Sequence, residues 1–576
     1  MDGRLTRPLG EHPFIVLSRR FIARIKAFYY TSRLHRMRLT GKQPLKLIDS
    51  PNYPWDGEAQ TGAKILTGVF SYAGHTIKTS KAKPWPDTTN SPEMFYNWLN
   101  GFSWLNDLEG MADKRMAQEK AEAVLGHWLE HNKLWSAHAW RPELIGERLI
   151  SWIFHAPLIL SNSDLVYRSK VMNSLLQQSR HLNYVVATAP IGVPRIKASI
   201  GLAVSGLLIP DGEERLKRGL KVLEKTLDEF ILPDGGVASR TPRDGMLVLK
   251  LLIILKIALE NQNRERPNWL QFSCDKLVPF LKALSHGDGG FAHFGGAFTN
   301  DNHHLKEAIQ LSDAKGKASN NFPFSGFQRL KNGQTQVLID VGTPPEPVLS
   351  FASPASALAI EVSDGKDRLI VGLGGTHQGY SASEDSVNSQ NWAKKTISHS
   401  TVSLNDTNQT AINNNGAMPA KHFETMFERN ENQEGIWVDA THDGYKKKLK
   451  TRHTRRLYLN ENGSDLRGED IIKREVRGLA KFFTSKEPLQ VKVRFHIHPS
   501  VSLSPNQVGD AIILRLPHGH GWLFKAKGGH IQIEDVVYSA KPEDDKKSSQ
   551  IVIESKISAN QTLNIKWSLK RLDQRE

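Results

Sequence analysis

Residues 286–300, HGDGGFAHFGGAFTN, decide how this chain is read. Its five glycines end one grammar and begin another. On the N-terminal side, apolar residues recur every three to four positions over 112–132, 141–160, 164–187, 195–209, 212–231 and 246–261, which predicts successive α-helices. The breaks fall at Pro190, Pro194, Pro210-Asp211-Gly212 and Pro233-Asp234-Gly235. Helices of this length joined by short turns form antiparallel hairpins, and several in series bury their apolar stripes only by curling into a bundle, solenoid or toroid. On the C-terminal side the period is two, over 333–342, 356–375, 396–406, 435–445, 455–472, 492–501, 511–526 and 563–570. Turn signals such as Ser363-Asp364-Gly365 and Glu461-Asn462-Gly463 separate several of these runs, so this half predicts a large antiparallel β-sandwich.

The 576 residues exceed one ordinary core, and the expected division is a basic N-terminal segment at 1–48, a helical domain at 49–310 and a β-domain at 311–576. Lys and Arg number 76 against 60 Asp and Glu, a net charge of +16 that favours polyanions: an acidic polysaccharide, nucleic acid or an anionic membrane face. No nucleic-acid module is recognisable, and the Gly-rich stretches lack the strand–loop–helix context of nucleotide binding. The single cysteine, Cys274, excludes an intramolecular disulfide framework and a Cys-cluster metal site. No signal-peptide h-region and no apolar run of membrane-spanning length is seen, so a soluble protein of the cell envelope, periplasm or cytoplasm is expected. The first 48 residues carry eleven Lys/Arg and two acidic groups, and 14–39 reads as a basic amphipathic helix. Such a helix either lies on an anionic membrane or packs on its own domain.

Several segments, in this order, resemble the heparinase II/III-like polysaccharide lyases: FSWLNDL (102–108), RLISWIFHA (148–156), ILPDGG (231–236), GDGGFAHFGGA (287–297), GFQRLKNGQTQVLIDVG (326–342), HSTVSLND (399–406), HDGY (442–445), RRLYLNENGSDLRGED (455–470) and RFHIHPSV (494–501). The resemblance implies a multidomain α+β fold, an N-terminal incomplete (α/α) toroid followed by a C-terminal antiparallel β-sandwich. It also implies β-elimination on an acidic, uronate-containing polysaccharide. That chemistry neutralises the uronate carboxylate, removes the C5 proton with a Tyr or His, and protonates the leaving oxygen. It needs no redox cofactor; neither a cofactor nor a metal is expected here.

Under the resemblance His399 lies on a strand, 396–406, facing the toroid cleft, and His442 and Tyr445 come from a neighbouring strand end. On the toroid side the chain departs from the family. Pro194 and Arg195 stand where relatives carry an Asn-His pair, and DGGVASRTPRDG (234–245) places Ser239 and Asp244 near the positions of a Glu and a Tyr. Segment 351–363 lacks the His and Asp that often serve as metal ligands or base. The candidate catalytic residues are therefore His399, His442, Tyr445 and Asp244, Asp244 acting as a base only if burial raises its pKa. Candidate substrate-binding residues are Arg195 and Arg240, whose guanidinium groups pair bidentately with carboxylates, together with Asn183, Tyr184 and Trp392. Trp104 and Trp152 are further groove candidates. His496 and His498 have the spacing of a metal pair but no third ligand in sequence, and read as structural. Two functions stand: a lyase, or a catalytically altered member that binds anionic glycan in an envelope or capsule system. The oligomeric state is open.

Overall fold

Helices of the N-terminal half begin where the sequence supplies a cap. In this computed structural model, Asp113 accepts the Met116 N–H ahead of Lys114–His131, and Asp164 accepts the Val166 and Tyr167 N–H groups ahead of Leu165–Val185. Proline opens Pro142–Phe154, Val193–Leu208 and Pro242–Asn261 within their first two positions. The structure describes residues 13–41, 46–88, 90–376, 391–413, 416–419, 423–477, 487–508, 510–518, 521–539, 541 and 544–572.

Val193–Leu208 is buried on nearly every side because it packs against Pro142–Phe154, Glu213–Phe230 and Pro242–Asn261. Its crossing with Pro142–Phe154 runs through Gly146 and Gly201: a Cβ on Gly201 would lie 2.3 Å from the Gly146 carbonyl. Only glycine permits backbones this close. The same crossing brings the neighbouring Glu147 and Lys197 together. Asn268–Ala283, a helix the periodicity did not isolate, follows.

The glycine-rich stretch ends the helical pattern as expected. The chain turns back through His286 N–H to Gly290 O and a Ser285–Phe291 bridge, makes two short 3₁₀ turns at Phe294–Gly296 and Thr299–Asn302, and adds one helix, Leu305–Ser312. Strands begin at Asn321–Phe322.

Among the described residues the C-terminal half forms two antiparallel sheets. The nine-stranded sheet runs His530–Ser539, Asp545–Ile557, Leu489–Ile497, Asp367–Val371, Ile360–Asp364, Thr335–Asp340, Phe327–Asn332, Asn321–Phe322, with Val402–Leu404 also paired to Leu489–Ile497. The eight-stranded sheet runs Ser502–Pro505, Ala511–Arg515, Gly521–Lys527, Thr562–Leu572, Asp465–Arg474, Thr451–Asn460, Gly435–His442, Thr425–Asn432. Their inward alternating residues make one core, with Phe495, Trp522, Phe524 and Trp567 at its centre. The helical core continues into the sandwich through Phe322, Phe327 and Leu338.

Local departures from the sequence reading have local causes. The segment 14–39 is two helices, Pro13–Thr31 and Arg33–Leu39, because the Ser32 hydroxyl caps the second by accepting the His35 N–H. The expected strand 396–406 is a strand only over Val402–Leu404; Thr396–Ser398 is a 3₁₀ turn and His399 follows it. Trp104 and Trp152 belong to the aromatic core of the toroid, both fully buried. The hairpin Val69–Tyr72/His75–Lys78 and the strands Thr425–Asn432, His530–Ser539 and Asp545–Ile557 were not legible. No helix among the described residues is long and apolar enough to cross a membrane.

Candidate functional site

Two Arg–Asp pairs and one buried carboxylate join the helical half to the sandwich. Arg240, just before Pro242–Asn261, pairs with Asp340 and donates to the carbonyls of Ser325, Gly326 and Thr343 at 2.7, 3.1 and 2.9 Å. Arg368 grips Asp288 through Nε and Nη2 at 2.8 and 3.0 Å. Glu361 accepts from His286 Nε2 at 3.0 Å and from the His293 N–H at 2.8 Å. Burial pushes the Glu361 carboxyl up, but His286, His293 and Arg368 outweigh it and hold it at about 2.

Beside this junction lies a cavity of about 330 Å³. Its wall takes Tyr72 from the first hairpin, Trp98 from Glu93–Gly101, Glu147 and Lys197 from the glycine-mediated crossing, Asp244 from the first turn of Pro242–Asn261, and Asp301 from the glycine-rich junction. Tyr72 and Trp98 stack in parallel, centroids 5.1 Å apart and planes 3° from coplanar. Lys197 Nζ lies 2.8 Å from Glu147 Oε2. Arg243 Nε is 4.0 Å from Asp244 Oδ1, and its Nη1 donates to the Thr376 carbonyl. Asp244 also accepts the Ser239 hydroxyl at 2.8 Å. Burial raises the Asp301 pKa, with Asp244 adding and Arg243 and the Phe298 N–H opposing. The cavity thus holds two cations and three carboxylates, and its cations already have carboxylate neighbours inside the wall.

The sequence candidates divide sharply. Asp244 lines the cavity. His399 does not face it: the side chain is 2% exposed, Nε2–H donates to the Ala393 carbonyl at 2.9 Å, and burial pushes the imidazole down to about 4. His442 and Tyr445 lie inside the sandwich. The Gly444 N–H donates to His442 Nδ1, His442 Nε2–H to His453 Nδ1 at 3.2 Å, and His453 Nε2–H to Asp470 at 2.7 Å, a chain of neutral rings ending on a carboxylate. The Tyr445 hydroxyl donates to the Val402 carbonyl at 2.9 Å, and burial pushes it far up.

Of the binding candidates, Arg195 closes a turn by donating to the Ala189 carbonyl, and Arg240 is the interdomain tie just described. Tyr184 lies beside the N-terminal helices, the Arg38 guanidinium sitting 4.1 Å over its ring, and Asn183 is outside the cavity wall. Trp392 is 36% exposed on a 3₁₀ turn outside the cavity wall. The structure therefore brings one of the nine candidates to the cavity. It adds Tyr72, Trp98, Glu147, Lys197, Arg243 and Asp301, which the sequence reading missed; the aromatic run MFYNW at 94–98 was the available signal. Among the described residues no group of three or more His, Cys, Asp or Glu side chains is placed to hold a metal ion.

Residues 314–568 match the heparinase II/III-like C-terminal domain. The C-terminal part of the chain is thus a heparinase II/III-like domain. The chain's fold is similar across both halves to a solved heparinase III (TM-score 0.71, 12% identity, 98% of this chain and 92% of that one). It is also similar to a mutant of the heparan sulfate lyase HepC from Pedobacter heparinus (TM-score 0.63, 15% identity, 91% and 86%). A curated relative, FtsZ-localized protein C of Caulobacter vibrioides, is 27% identical over 561 residues, 95% of this chain and 94% of the relative. The toroid-plus-sandwich architecture is thus that of the solved heparinase III, while a relative matched over nearly its whole length carries a name taken from its location.

Proposed function

We propose that this protein binds a saccharide in the interdomain cavity and does not cleave it by β-elimination. The observation that carries this reading is the content of the cavity wall. A parallel Tyr72–Trp98 shelf offers an apolar face to a sugar ring, and Glu147, Asp244 and Asp301 offer acceptors to its hydroxyls. Elimination makes other demands: a cation or amide surplus for the uronate carboxylate and a base of suitable pKa at C5. Lys197 and Arg243 are engaged with carboxylates, His442 and Tyr445 are bonded inside the sandwich, and His399 is buried beside Gly372 at the junction with its Nε2 held by the Ala393 carbonyl. An uncharged sugar unit suits this cavity better than a uronate. With neutral hexasaccharides such as cellohexaose and chitohexaose as probes, quenching of tryptophan fluorescence is expected. Tyr72→Ala and Trp98→Ala should each weaken binding about tenfold or more, roughly the value of one stacking contact. Unchanged affinity in both folded variants contradicts the cavity assignment.

A second reading concerns location. Phe21, Ile22, Ile25 and Phe28 are 66%, 50%, 53% and 80% exposed on the N-terminal helix, next to Arg24 and Lys26, while Arg33, Arg36 and Arg38 follow on the next helix. His35 meanwhile docks on His181 at 3.0 Å, fixing that helix to the toroid. An uncovered apolar face bordered by cations suits an anionic bilayer surface, and the relative named for its localisation with FtsZ supports placing that contact beside FtsZ. The wild type is expected to sediment with phosphatidylglycerol-containing vesicles and to carry added FtsZ into the pellet. Ile25→Glu/Phe28→Glu should stay in the supernatant; its sedimentation with the vesicles contradicts this reading.

A further inference from the structure

Outward positions of a sandwich sheet are ordinarily polar, and a tryptophan placed there calls for an explanation. On the eight-stranded sheet the strand register sets Asn430, Trp437, Tyr458, Arg467, Ser568 and Lys525 directly opposite one another, one residue from each of six successive strands. All six alternate with inward neighbours such as Val438, Leu457, Leu466, Leu569 and Phe524, so they form one row on the outer face. Two residues along, a parallel row runs Glu428, Asp439, Arg456, Glu469, Lys566 and Lys527.

The two rows differ in character. The second is largely self-paired: Arg456 meets Asp439 at 2.6 Å and Glu469 at 3.5 Å, and Lys566 meets Glu469 at 3.7 Å. After Asn430 the first carries a pair of rings, Trp437 and Tyr458, with centroids 4.7 Å apart, then Arg467, paired with Asp465 of its own strand at 2.6 Å, and it ends on Lys525. Lys525 and Lys527 have no carboxylate partner among the described residues. Between the rows lies a hollow of about 450 Å³, whose wall holds Arg456, Arg467, Lys525, Lys527 and Lys566 against the single carboxylate of Glu469. It shares no lining residue with the interdomain cavity.

We propose that this face is a second glycan site, taking a linear acidic oligosaccharide laid across the strands. Six strands at about 4.8 Å spacing give a row of roughly 24 Å, the length of an extended oligosaccharide of several units. The two rings supply a surface for a sugar face at one end, and Lys525 and Lys527 supply counter-charges for carboxylate or sulfate groups at the other. A single strand of nucleic acid would stack successive bases and calls for rings repeated along the row, whereas this row offers one ring pair and then only polar and charged side chains; an acidic peptide would use the charges alone. This inference does not depend on the cavity reading: the acidic ligand is assigned to the sheet face and the uncharged one to the cavity.

Full-length protein titrated with a galacturonate hexamer and a heparin-derived hexasaccharide tests it. Trp437→Ala/Tyr458→Ala and Lys525→Gln/Lys527→Gln should each weaken binding at least tenfold, the second also flattening the salt dependence, with Tm and circular dichroism unchanged. Trp98→Ala should leave these affinities as they are, which separates this site from the cavity. Lys217→Gln/Arg218→Gln, on the distant Glu213–Phe230 helix, should also leave them as they are. Loss of binding in that control variant equal to the loss in Lys525→Gln/Lys527→Gln would show attraction by net charge and overturn the proposal. So would wild-type affinity in the ring variant, or a polyglutamate peptide or cellohexaose bound at this face as tightly as the acidic hexamer.

Discussion

Between about pH 7 and pH 5 the protein is expected to lose several kcal/mol of folded stability, with Tm falling by roughly 5 °C or more. The cause is a set of histidines that the fold keeps neutral. Burial pushes His399 and His498 down to about 4, and His181 and His496 down to about 3. Each is a base whose folded pKa is below its unfolded value, near 6.5, so the unfolded chain binds more protons as pH falls. The stability they allow is complete above about pH 6.5 and is lost as pH falls toward the folded values. At about pH 5 each contributes a loss of roughly 2 kcal/mol, and four together match a large part of the roughly 5–15 kcal/mol of a typical fold. Asp107 opposes them: burial pushes its carboxyl up to about 6, so it takes up a proton in the same window and returns about 1 kcal/mol. Glu361, held at about 2, begins to matter only below its unfolded value, near 4.3. Calorimetric Tm measured across this range checks the expectation, and a flat profile would contradict it.

Replacing Asp470 by Ala should cost about 3–5 kcal/mol, enough to remove most soluble folded protein. Asp470 is fully buried and accepts from Arg455 Nε and Nη2 at 2.8 and 3.0 Å, from His453 at 2.7 Å and from Trp567 Nε1 at 3.0 Å. Arg455 in turn donates through Nη1 to the carbonyls of Leu358 and Ser400, each at 2.8 Å, reaching from the eight-stranded sheet to the segments flanking the other. Alanine leaves that guanidinium in the core without its counter-charge, the costliest way to break a buried pair. Burial alone would raise the Asp470 carboxyl, yet Arg455 and His453 hold it well below the usual range. Arg455→Met/Asp470→Leu, which removes both charges, should recover much of the loss. Urea titration of the three variants decides it; a single-mutant cost below about 1 kcal/mol would mean the network does not tie the sheets together.

The helical half was legible because its signals are local: Pro and Gly at the turns and a 3.6-residue period between them. Strands whose alternation is diluted by charge, such as Asp545–Ile557 with its DKKSSQ start, were not. At the candidate site, sequence reasoning weighted histidines in strand-like contexts. HSTV looks like a strand, yet its histidine sits at the end of a 3₁₀ turn, and HDGY looks like an exposed strand end, yet its His and Tyr turn inward to bond His453 and Val402. What lines the cavity comes from many separate segments, and the contact that sets Glu147 against Lys197 is a glycine-to-glycine helix crossing that no single-segment pattern reveals. Asp244 was found because it follows a turn motif quoted from the family resemblance; Tyr72 and Trp98 lie in segments that no motif singled out.

The most direct test of the account is ultraviolet absorbance of the unsaturated uronate that elimination would release, followed with purified protein against heparan sulfate, chondroitin, hyaluronan, alginate and bacterial capsular polymers. The account predicts no rise on any of them, while the same preparation binds neutral and acidic hexasaccharides at separable sites. A rise that Asp244→Asn or Tyr72→Phe abolishes, with the fold intact, would contradict it and make the interdomain cavity the active site of a lyase.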